Sequence, residues 1–422
     1  MLDNFMGVIG AVVLLTIAFL FSTNRRAINL RIVGSAFLLQ IIIAVFVLFS
    51  SIGKSVIENI SGGVQTLLGY SSEGIGFLFG PLAGNSLGLV FAFQILPIVI
   101  FFSSLMAVLY HLRIMPVVVA GIGGFLQMVL GTRPIESLNA AANIFVGQTE
   151  APLAIKPYLD KISGPQLFAI MVSGFASVAG SILAALALAG VDLKFLLAAS
   201  IMAAPGGLLM AKIIMPDDSD DDEQVADLKE IANIESPYEN VFMAAAVGAS
   251  DGMRLAINIA AMLIAFISLI ALVNGIFGAA GNGICSLTES AGLGCAGFFQ
   301  DLSIQKILGL IFAPLMFILG VPQADIQTAG ALFGEKFVLN EFVAYLSLIG
   351  EAESMQPKSV AIITFALCGF ANLASIGIML GGLGALIPDR LGEIASLGMR
   401  ALLAASLSNL MSAALAGIML SL

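Results

Sequence analysis

Charge is scarce in this sequence. Only 10% of its 422 residues are charged and 59% are hydrophobic, with a mean hydropathy of +1.06. A soluble domain carries about 25% charged residues, so a soluble chain of this length would lack the charge to cover its surface. Lipid is therefore predicted to be the solvent for much of the chain. The apolar runs are long and continuous rather than alternating, which argues against an outer-membrane β-barrel.

Catalytic and nucleotide-binding signatures are also missing. The chain has one histidine, no HExxH motif and no Walker A motif, so histidine-based catalysis and ATP-driven pumping have little support. There is no basic patch, and nucleic acid is therefore not expected as a partner. Much of the formal net charge of −10 comes from one acidic run, 217–223. That run lacks the glycine and terminal glutamate of an EF-hand, which favours a solvated loop over a calcium site.

Eight apolar stretches are long enough to cross a bilayer, for which about 20 residues are needed. They lie near 5–22, 32–50, 88–109, 166–189, 194–214, 255–277, 359–387 and 398–421. Three further stretches are short or glycine-rich and are predicted to be interfacial or re-entrant: 54–69, 114–130 and 303–319. The first run has no basic residues before it, so it is predicted to remain as a span rather than to be cleaved.

The distribution of basic residues predicts the orientation. Such residues follow the first, third, fifth and seventh spans: Arg25, Arg113, Lys212 and Arg390. These connections are then cytoplasmic, as is the acidic loop 215–240, and both termini are periplasmic. Cys285 and Cys295 fall on the periplasmic side, where they either close a small disulfide ring or remain free thiols.

An internal duplication is the most informative feature. The string GFASVA at 174–179 recurs as GFANLA at 369–374, each time inside an apolar span. A lone carboxylate, Glu150 or Glu341, precedes each copy by about 25 residues. Upstream of each carboxylate come a span, a short amphipathic stretch and a segment too short and polar to cross. The topology inverts the two halves, and inverted repeats with interrupted helices are typical of secondary transporters.

The two carboxylates would be costly at mid-bilayer depth, by about 2.5–3.5 kcal/mol each. Neither motif contains a lysine or arginine, so a ligand, water or a helix N terminus must compensate. The alternative is a position in the headgroups at loop ends. Two re-entrant hairpins that meet two interrupted helices would direct free N–H and C=O groups at one point.

The predicted fold is thus an all-α polytopic membrane protein with eight transmembrane helices, two re-entrant helical hairpins and an inverted repeat with two interrupted helices. Its parts are N-terminal scaffold helices at 1–87, a first repeat at 88–214, the acidic loop at 215–240 and a second, inverted repeat at 241–422.

Three strings resemble the concentrative nucleoside transporter family. They are AANIFVGQTEAP at 141–152, NEFVAY at 340–345 and CGFANL at 368–373. The likeness covers almost the whole chain, and the first string is highly specific. Family members are homotrimers in which a domain of two hairpins and two interrupted helices moves against a scaffold. The resemblance implies a bacterial inner-membrane symporter that imports nucleosides with sodium by this elevator-type movement.

The resemblance also implies site residues, carried over position by position. The nucleobase would contact Gln148, Thr149, Glu150 and Ile182. The ribose would contact Glu341, Phe370, Asn372 and Ser375. Sodium would be held by the side chains of Asn143 and Ser177 and by the backbone carbonyls of Val146 and Val178.

Other functions remain open from the sequence. Proton-coupled family members exist, and here only Glu150 or Glu341 could serve as the titrating group. A transporter of the same architecture for free nucleobases, an ion channel and a membrane enzyme are further alternatives. Competition by ribose-free uracil identifies a nucleobase transporter. Saturable uptake separates a transporter from a channel, and recovery of unmodified substrate argues against an enzyme.

Overall fold

A computed structural model describes residues 2–84, 90–217, 238–290, 295, 299–300 and 302–421. Every regular element within these residues is a helix. Most of the acidic run 217–223 lies outside the described residues, so its predicted loop structure stays a prediction.

Three long helices open the chain. They are α1 (Leu2–Leu20), α2 (Leu30–Ala44, continued by a π turn at Val45–Phe49) and α3 (Ser51–Phe79, followed by a 3₁₀ turn at Gly80–Ala83). The side-chain oxygens of Asn29 and Ser50 cap the N termini of α2 and α3. The helix α3 is much longer than the predicted apolar stretch 54–69, because charged and glycine residues interrupt its apolar pattern without ending the helix.

In the part of the predicted first repeat that the structure describes, seven helices and a 3₁₀ segment follow one another. They are α4 (Phe91–Gln94), α5 (Leu96–His111), α6 (Ile114–Leu130), α7 (Pro134–Ala142), the 3₁₀ segment Ala151–Lys161, α8 (Gly164–Ala176), α9 (Gly180–Ala189) and α10 (Leu193–Ile214). We call α7, the 3₁₀ segment and the turn between them hairpin 1. The helices α8 and α9 together occupy the predicted span 166–189.

The second repeat follows the same order. It contains α11 (Val241–Ser290), α12 (Ile304–Ile318), a 3₁₀ turn (Gln323–Asp325), α13 (Ile326–Val338), α14 (Glu341–Glu351), α15 (Pro357–Leu367), α16 (Leu373–Leu386), a 3₁₀ turn (Pro388–Arg390) and α17 (Leu391–Met419). We call α13 and α14 hairpin 2. The helices α15 and α16 occupy the predicted span 359–387.

Six helical segments within the described residues are long and apolar enough to cross a membrane. They are Leu30–Phe49, Phe91–His111, Gly164–Ala189, Leu193–Ile214, Val241–Thr288 and Pro388–Met419. The predicted first span corresponds to a shorter apolar helix, Met6–Leu20, and the predicted seventh to two shorter helices, α15 and α16. The chain is therefore an all-helical, multi-pass membrane-type protein.

Burial separates core helices from peripheral ones. Over an 18-residue stretch of each span, the share of buried residues is 94% for Gly164–Ala189, 89% for Leu193–Ile214 and 83% for Pro388–Met419, but 17% for Val241–Thr288. The helices α8, α10 and α17 pack against one another, whereas α11 packs mainly along α5. The first interrupted helix, α8 with α9, is thus held in the protein interior, where irregular backbone is tolerated at membrane depth.

A buried ion pair attaches hairpin 1 to α10. Lys212 Nζ lies 2.6 Å from Glu136 Oε1 and 2.6 Å from Asp217 Oδ1, with the Lys212 and Glu136 side chains 2% and 0% exposed. Removing either member of such a pair would leave a buried charge uncompensated. Lys212 is therefore a core residue, and the predicted topology rests on the other basic residues.

Glycines bring α12 and α13 into close contact. A Cβ at Gly309 would meet Gln327 O at 2.7 Å, a Cβ at Gly330 would meet Gly309 O at 2.7 Å, and a Cβ at Gly334 would meet the side chain of Leu308 at 2.6 Å. The backbones of these two helices approach so closely that larger side chains would separate them. Before α12, Cys285 near the end of α11 is joined to Cys295 by a disulfide.

Candidate functional site

Both copies of the duplicated motif mark helix interruptions. The helix α8 ends at Ala176, Ser177 is extended (φ −109°, ψ 171°), and α9 begins at Gly180. In the second copy α15 ends at Leu367, and extended Asn372 (φ −141°, ψ 163°) precedes α16. Each interruption leaves backbone carbonyls at one helix end and N–H groups at the next helix start without helical partners. The duplication therefore located both interruptions correctly.

The turn of hairpin 1 lies against the first interruption. Gly180 N donates to Phe145 O at 3.0 Å. A Cβ at Gly174 would lie 3.1 Å from Gln148 Cβ, so the hairpin turn and α8 are in direct contact at that glycine. The two interruptions are themselves joined, because Phe370 N donates to Ser177 O at 3.0 Å. Hairpin 1 and both interrupted helices thus meet in one region.

A polar cluster connects hairpin 2 to the second interruption. Asn372 Nδ2 donates to Glu341 Oε2 at 3.0 Å, and Asn372 Oδ1 accepts from Ser375 N at 2.9 Å and from Ser375 Oγ at 3.1 Å. Glu341 occupies the first turn of α14, whose cap Asn340 accepts from Val343 N at 2.8 Å. Glu341 thus lies in the first turn of one helix and is hydrogen-bonded to the N-cap residue of another, a placement in which helix N termini favour a buried acid.

Four buried side-chain oxygens in hairpin 1 have no hydrogen-bond partner among the described residues: Glu136 Oε2, Asn139 Oδ1, Asn143 Oδ1 and Gln148 Oε1. The last two belong to predicted site residues, which are 1% and 4% exposed. The amide nitrogen of Asn143 fixes the orientation of its side chain, because Nδ2 donates to Asn139 O at 2.9 Å. An unsatisfied buried acceptor costs about 1–3 kcal/mol. These oxygens are therefore suited to a ligand that brings a cation or a donor.

The remaining predicted residues surround this region. Ser177 is buried and its hydroxyl donates to Ser173 O at 3.2 Å, which leaves its oxygen lone pairs for a further ligand. Thr149 packs on α16, since a Cβ at Gly382 would meet its side chain. Val178 and Ile182 are buried, whereas Val146 and Phe370 are half-buried.

Among the twelve predicted residues, only Glu150 is exposed in the isolated chain. Its carboxylate lies over Gly147, where an added Cβ would collide with Glu150 Oε2. Glu150 is therefore not part of the hydrogen-bonded cluster around Glu341, and the two carboxylates occupy different environments.

Sequence reasoning missed two residues beside the site. Lys336 in α13 is fully buried, and its Nζ donates to Ala366 O and to Asn409 Oδ1. Asn409 in α17 is 2% exposed and its amide contacts both interruptions. Ionisable residues within the membrane are rare and usually functional. Lys336 could therefore have been selected as a candidate from the sequence.

Gly369→Ala should destabilise the protein by about 1–3 kcal/mol through overpacking. An added Cβ would meet Asn409 Oδ1 and lie 2.7 Å from Ala176 O, where neither neighbour can move without breaking a hydrogen bond. Gly377→Ala in α16 is the matched control, because a Cβ there meets nothing within 4 Å. Thermal unfolding of the detergent-solubilised protein measures both. Equal melting temperatures for the two variants would contradict the packing argument.

Comparison with protein-family models accounts for nearly the whole chain. Residues 195–417 match the C-terminal and residues 9–82 the N-terminal model of Na⁺-dependent nucleoside transporters, and residues 92–192 match a nucleoside-recognition gate model. The chain belongs to the sodium-dependent nucleoside transporter family. The resemblance seen in the three sequence strings is thereby confirmed.

Full-length relatives and solved structures agree with this assignment. The transporter is 44% identical to the nucleoside permease NupC of Helicobacter pylori over 100% of its own length and 99% of the relative. It is 46% identical to an uncharacterized transporter of Haemophilus influenzae, with 98% and 97% covered. The transporter CNTnw, solved in an inward-facing substrate-bound state, matches with a TM-score of 0.91 and 43% identity over 99% of this chain and 98% of that one.

Proposed function

We propose that this transporter is a symporter that imports nucleosides together with sodium across the inner membrane of a bacterium. The observation that carries the proposal is the pair of buried, unpartnered amide oxygens of Asn143 and Gln148, next to a junction of two interrupted helices. In a family of sodium-dependent nucleoside transporters, a cation and a nucleobase are the ligands that such oxygens would bind.

The nucleobase half of the site lies in hairpin 1. Gln148 offers a free amide acceptor for a donor on the base edge, and Thr149 and Glu150 follow it in the same turn. Ile182 provides an apolar, buried contact for the ring on α9. This half of the site distinguishes bases by the donors and acceptors on their edges. Substitutions of Gln148 or Thr149 should therefore alter the preference among nucleosides.

The ribose half lies between hairpin 2 and α16. The Glu341 carboxylate accepts from ribose hydroxyls while its other hydrogen bond to Asn372 holds it in position. Asn372 and Ser375 are already hydrogen-bonded to each other, which fixes their orientation before substrate arrives, and half-buried Phe370 packs on the sugar. A site built to hydrogen-bond hydroxyls rejects analogues that lack them, since its own buried groups are left unpaired.

Sodium is the co-transported cargo and binds in hairpin 1 at the first interruption. Its ligands are the side-chain oxygens of Asn143 and Ser177 and the backbone carbonyls of Val146 and Val178. Neutral oxygen ligands suit a monovalent hard cation, and the unpartnered Asn143 Oδ1 supports this assignment. The uptake of nucleoside against its gradient then draws on the sodium gradient.

Uptake of labelled uridine into proteoliposomes tests the function. Sodium, potassium and proton gradients are imposed in turn, and excess unlabelled uracil is added as a competitor. We expect saturable uptake that requires a sodium gradient and yields unmodified uridine, with little competition by uracil. Uptake driven by a pH gradient alone would replace sodium by a proton, and strong competition by uracil would replace nucleosides by nucleobases.

We further propose that the two hairpins and the two interrupted helices move together as an elevator within a homotrimer. An apolar contact surface supports this: Leu68 and Ile75 of α3 and Ile98 of α5 form a small buried cluster with Ala184 of α9. An apolar cavity of about 570 Å³ lies between α2 and α3 on one side and α9 and α10 on the other. Apolar surfaces can slide past each other without leaving polar groups unpaired.

A cross-link across this surface should stop transport and leave substrate binding intact. Cysteines introduced at Leu68 and Ala184 would be joined by a short thiol-reactive cross-linker, which fixes α9 to α3. The expected result is loss of more than about 90% of uridine uptake with an unchanged uridine dissociation constant, because binding uses one position of the domain and transport needs two. Each single-cysteine variant, treated with the same reagent, is the control. Full uptake after complete cross-linking would rule out the movement.

A further inference from the structure

A buried lysine is attached to the junction of the two interrupted helices. Lys336 has 0% exposure, and its Nζ donates to Ala366 O at 2.8 Å and to Asn409 Oδ1 at 2.7 Å. Ala366 lies in the last turn of α15, where helical carbonyls lack intrahelical donors and carry negative partial charge. In secondary transporters, carbonyls at such helix ends bind transported cations. Here the protein's own ammonium group occupies that position.

The amide of Asn409 extends this contact to both interruptions. Its Nδ2 donates to Ala176 O at 2.7 Å, at the end of α8, and to Cys368 O at 2.8 Å, just after the end of α15. Its Oδ1 accepts from Lys336. All three hydrogen bonds are satisfied only in one orientation of the amide, and Lys336 fixes that orientation because an ammonium group can donate but not accept.

The residues next to these carbonyls belong to the two halves of the proposed site. Ser177, assigned to sodium, directly follows Ala176, and Phe370, assigned to ribose, comes two residues after Cys368. The two segments are also joined directly, because Phe370 N donates to Ser177 O. A displacement of the first interruption when sodium binds is therefore transmitted to the second through Asn409 and this backbone hydrogen bond.

We propose that Lys336 and Asn409 are positioning residues that transmit sodium binding at the first interruption to the ribose-binding residues at the second. The inference rests on the proposed function and names the connection between its two halves. Lys336 is not among the residues assigned to nucleoside or to sodium. It holds the Asn409 amide in the one orientation that joins the ends of α8 and α15.

The test is a binding cycle on the purified full-length protein. The uridine dissociation constant is measured without sodium and at saturating sodium, with choline chloride keeping the ionic strength constant. The ratio of the two constants is the coupling factor, for which about 5- to 150-fold is typical. Lys336→Met removes the ammonium at nearly the same volume. Asn409→Ser keeps one small polar group but cannot reach both carbonyls, and it serves if Lys336→Met does not fold. Lys194→Met is the control, since Lys194 is a 48% exposed lysine paired with Glu58.

We expect the coupling factor to fall to within about twofold of unity in Lys336→Met and in Asn409→Ser, and to remain at the unsubstituted value in Lys194→Met. Both site variants should still bind uridine at high concentration. A purely structural role would instead lower the melting temperature and leave the coupling factor unchanged, and that result overturns the inference. If the unsubstituted protein itself shows no sodium effect on uridine affinity, sodium coupling and this inference both fail. If the folded fraction of the site variants keeps the coupling factor of the unsubstituted protein, this inference is overturned and sodium coupling is unaffected.

Discussion

Glu341→Gln will lower uridine transport by about 10- to 150-fold, the equivalent of a charge-assisted hydrogen bond of about 1.5–3 kcal/mol. The glutamine oxygen can still accept from Asn372 Nδ2, which now donates to Glu341 Oε2 at 3.0 Å. In the proposed ribose site its NH₂ group then faces the sugar, where the native carboxylate offers an acceptor. A donor is thereby placed opposite hydroxyl groups that the native site binds as donors.

Deoxynucleosides give this prediction a second readout. The native protein should bind 2′-deoxyuridine less well than uridine, and Glu341→Gln should reduce that discrimination because the acceptor for the hydroxyls is changed. Glu351→Gln is the matched control, as Glu351 is an exposed glutamate at the opposite end of the same helix. Initial rates of uptake over a range of concentrations measure both variants. Native kinetics in Glu341→Gln would remove Glu341 from the ribose site.

Asn143→Leu will abolish sodium-driven accumulation while leaving a folded protein. Leucine fills a similar volume, but it removes Oδ1, the buried acceptor without a partner, and breaks the bond from Nδ2 to Asn139 O. One monovalent charge supplies about 2.3 kcal/mol per 100 mV of membrane potential. That energy corresponds to about fortyfold accumulation, since 1.4 kcal/mol is tenfold. The variant should therefore equilibrate uridine at a ratio near one.

Asn143→Asp provides the contrast, because aspartate keeps an oxygen at the same position. It should retain a dependence on sodium, whereas the leucine variant should not. The measurement is the ratio of uridine inside to outside proteoliposomes at steady state, with sodium and a membrane potential imposed. If Asn143→Leu still accumulates uridine in proportion to the sodium gradient, Asn143 is not a sodium ligand.

The sequence predicted the interrupted helices because local chemistry marks them. The second interruption includes the Gly-Phe-Ala motif and the first begins directly after it at Ser177; in both copies a polar residue follows the glycine by three positions inside an apolar run. The boundaries of α6 and α12 also agree closely with the predicted stretches 114–130 and 303–319. These features depend on neighbouring residues, so a single sequence is enough to locate them.

Contacts between distant residues could not be predicted in this way. Lys336 and Asn409 are 73 positions apart, and no local pattern indicates that one binds the other. Lys212 looked like a cytoplasmic loop charge because it ends an apolar run, but Glu136 from hairpin 1 neutralises it in the interior. For α11, the predicted stretch 255–277 covered only the middle of a 50-residue helix, since helix length depends on the packing against α5 as well as on apolar content.

The glycine contacts between α12 and α13 have a consequence for the surrounding lipid. If hairpin 2 moves as proposed, this close backbone approach requires α12 to move with it. The outer face of α12 carries Leu310, Ile311 and Phe317, which are 55%, 61% and 46% exposed. Each transport cycle would then move these apolar side chains through the acyl chains of the surrounding lipid. The turnover rate should accordingly depend on bilayer thickness and fluidity, even in a membrane of constant surface charge.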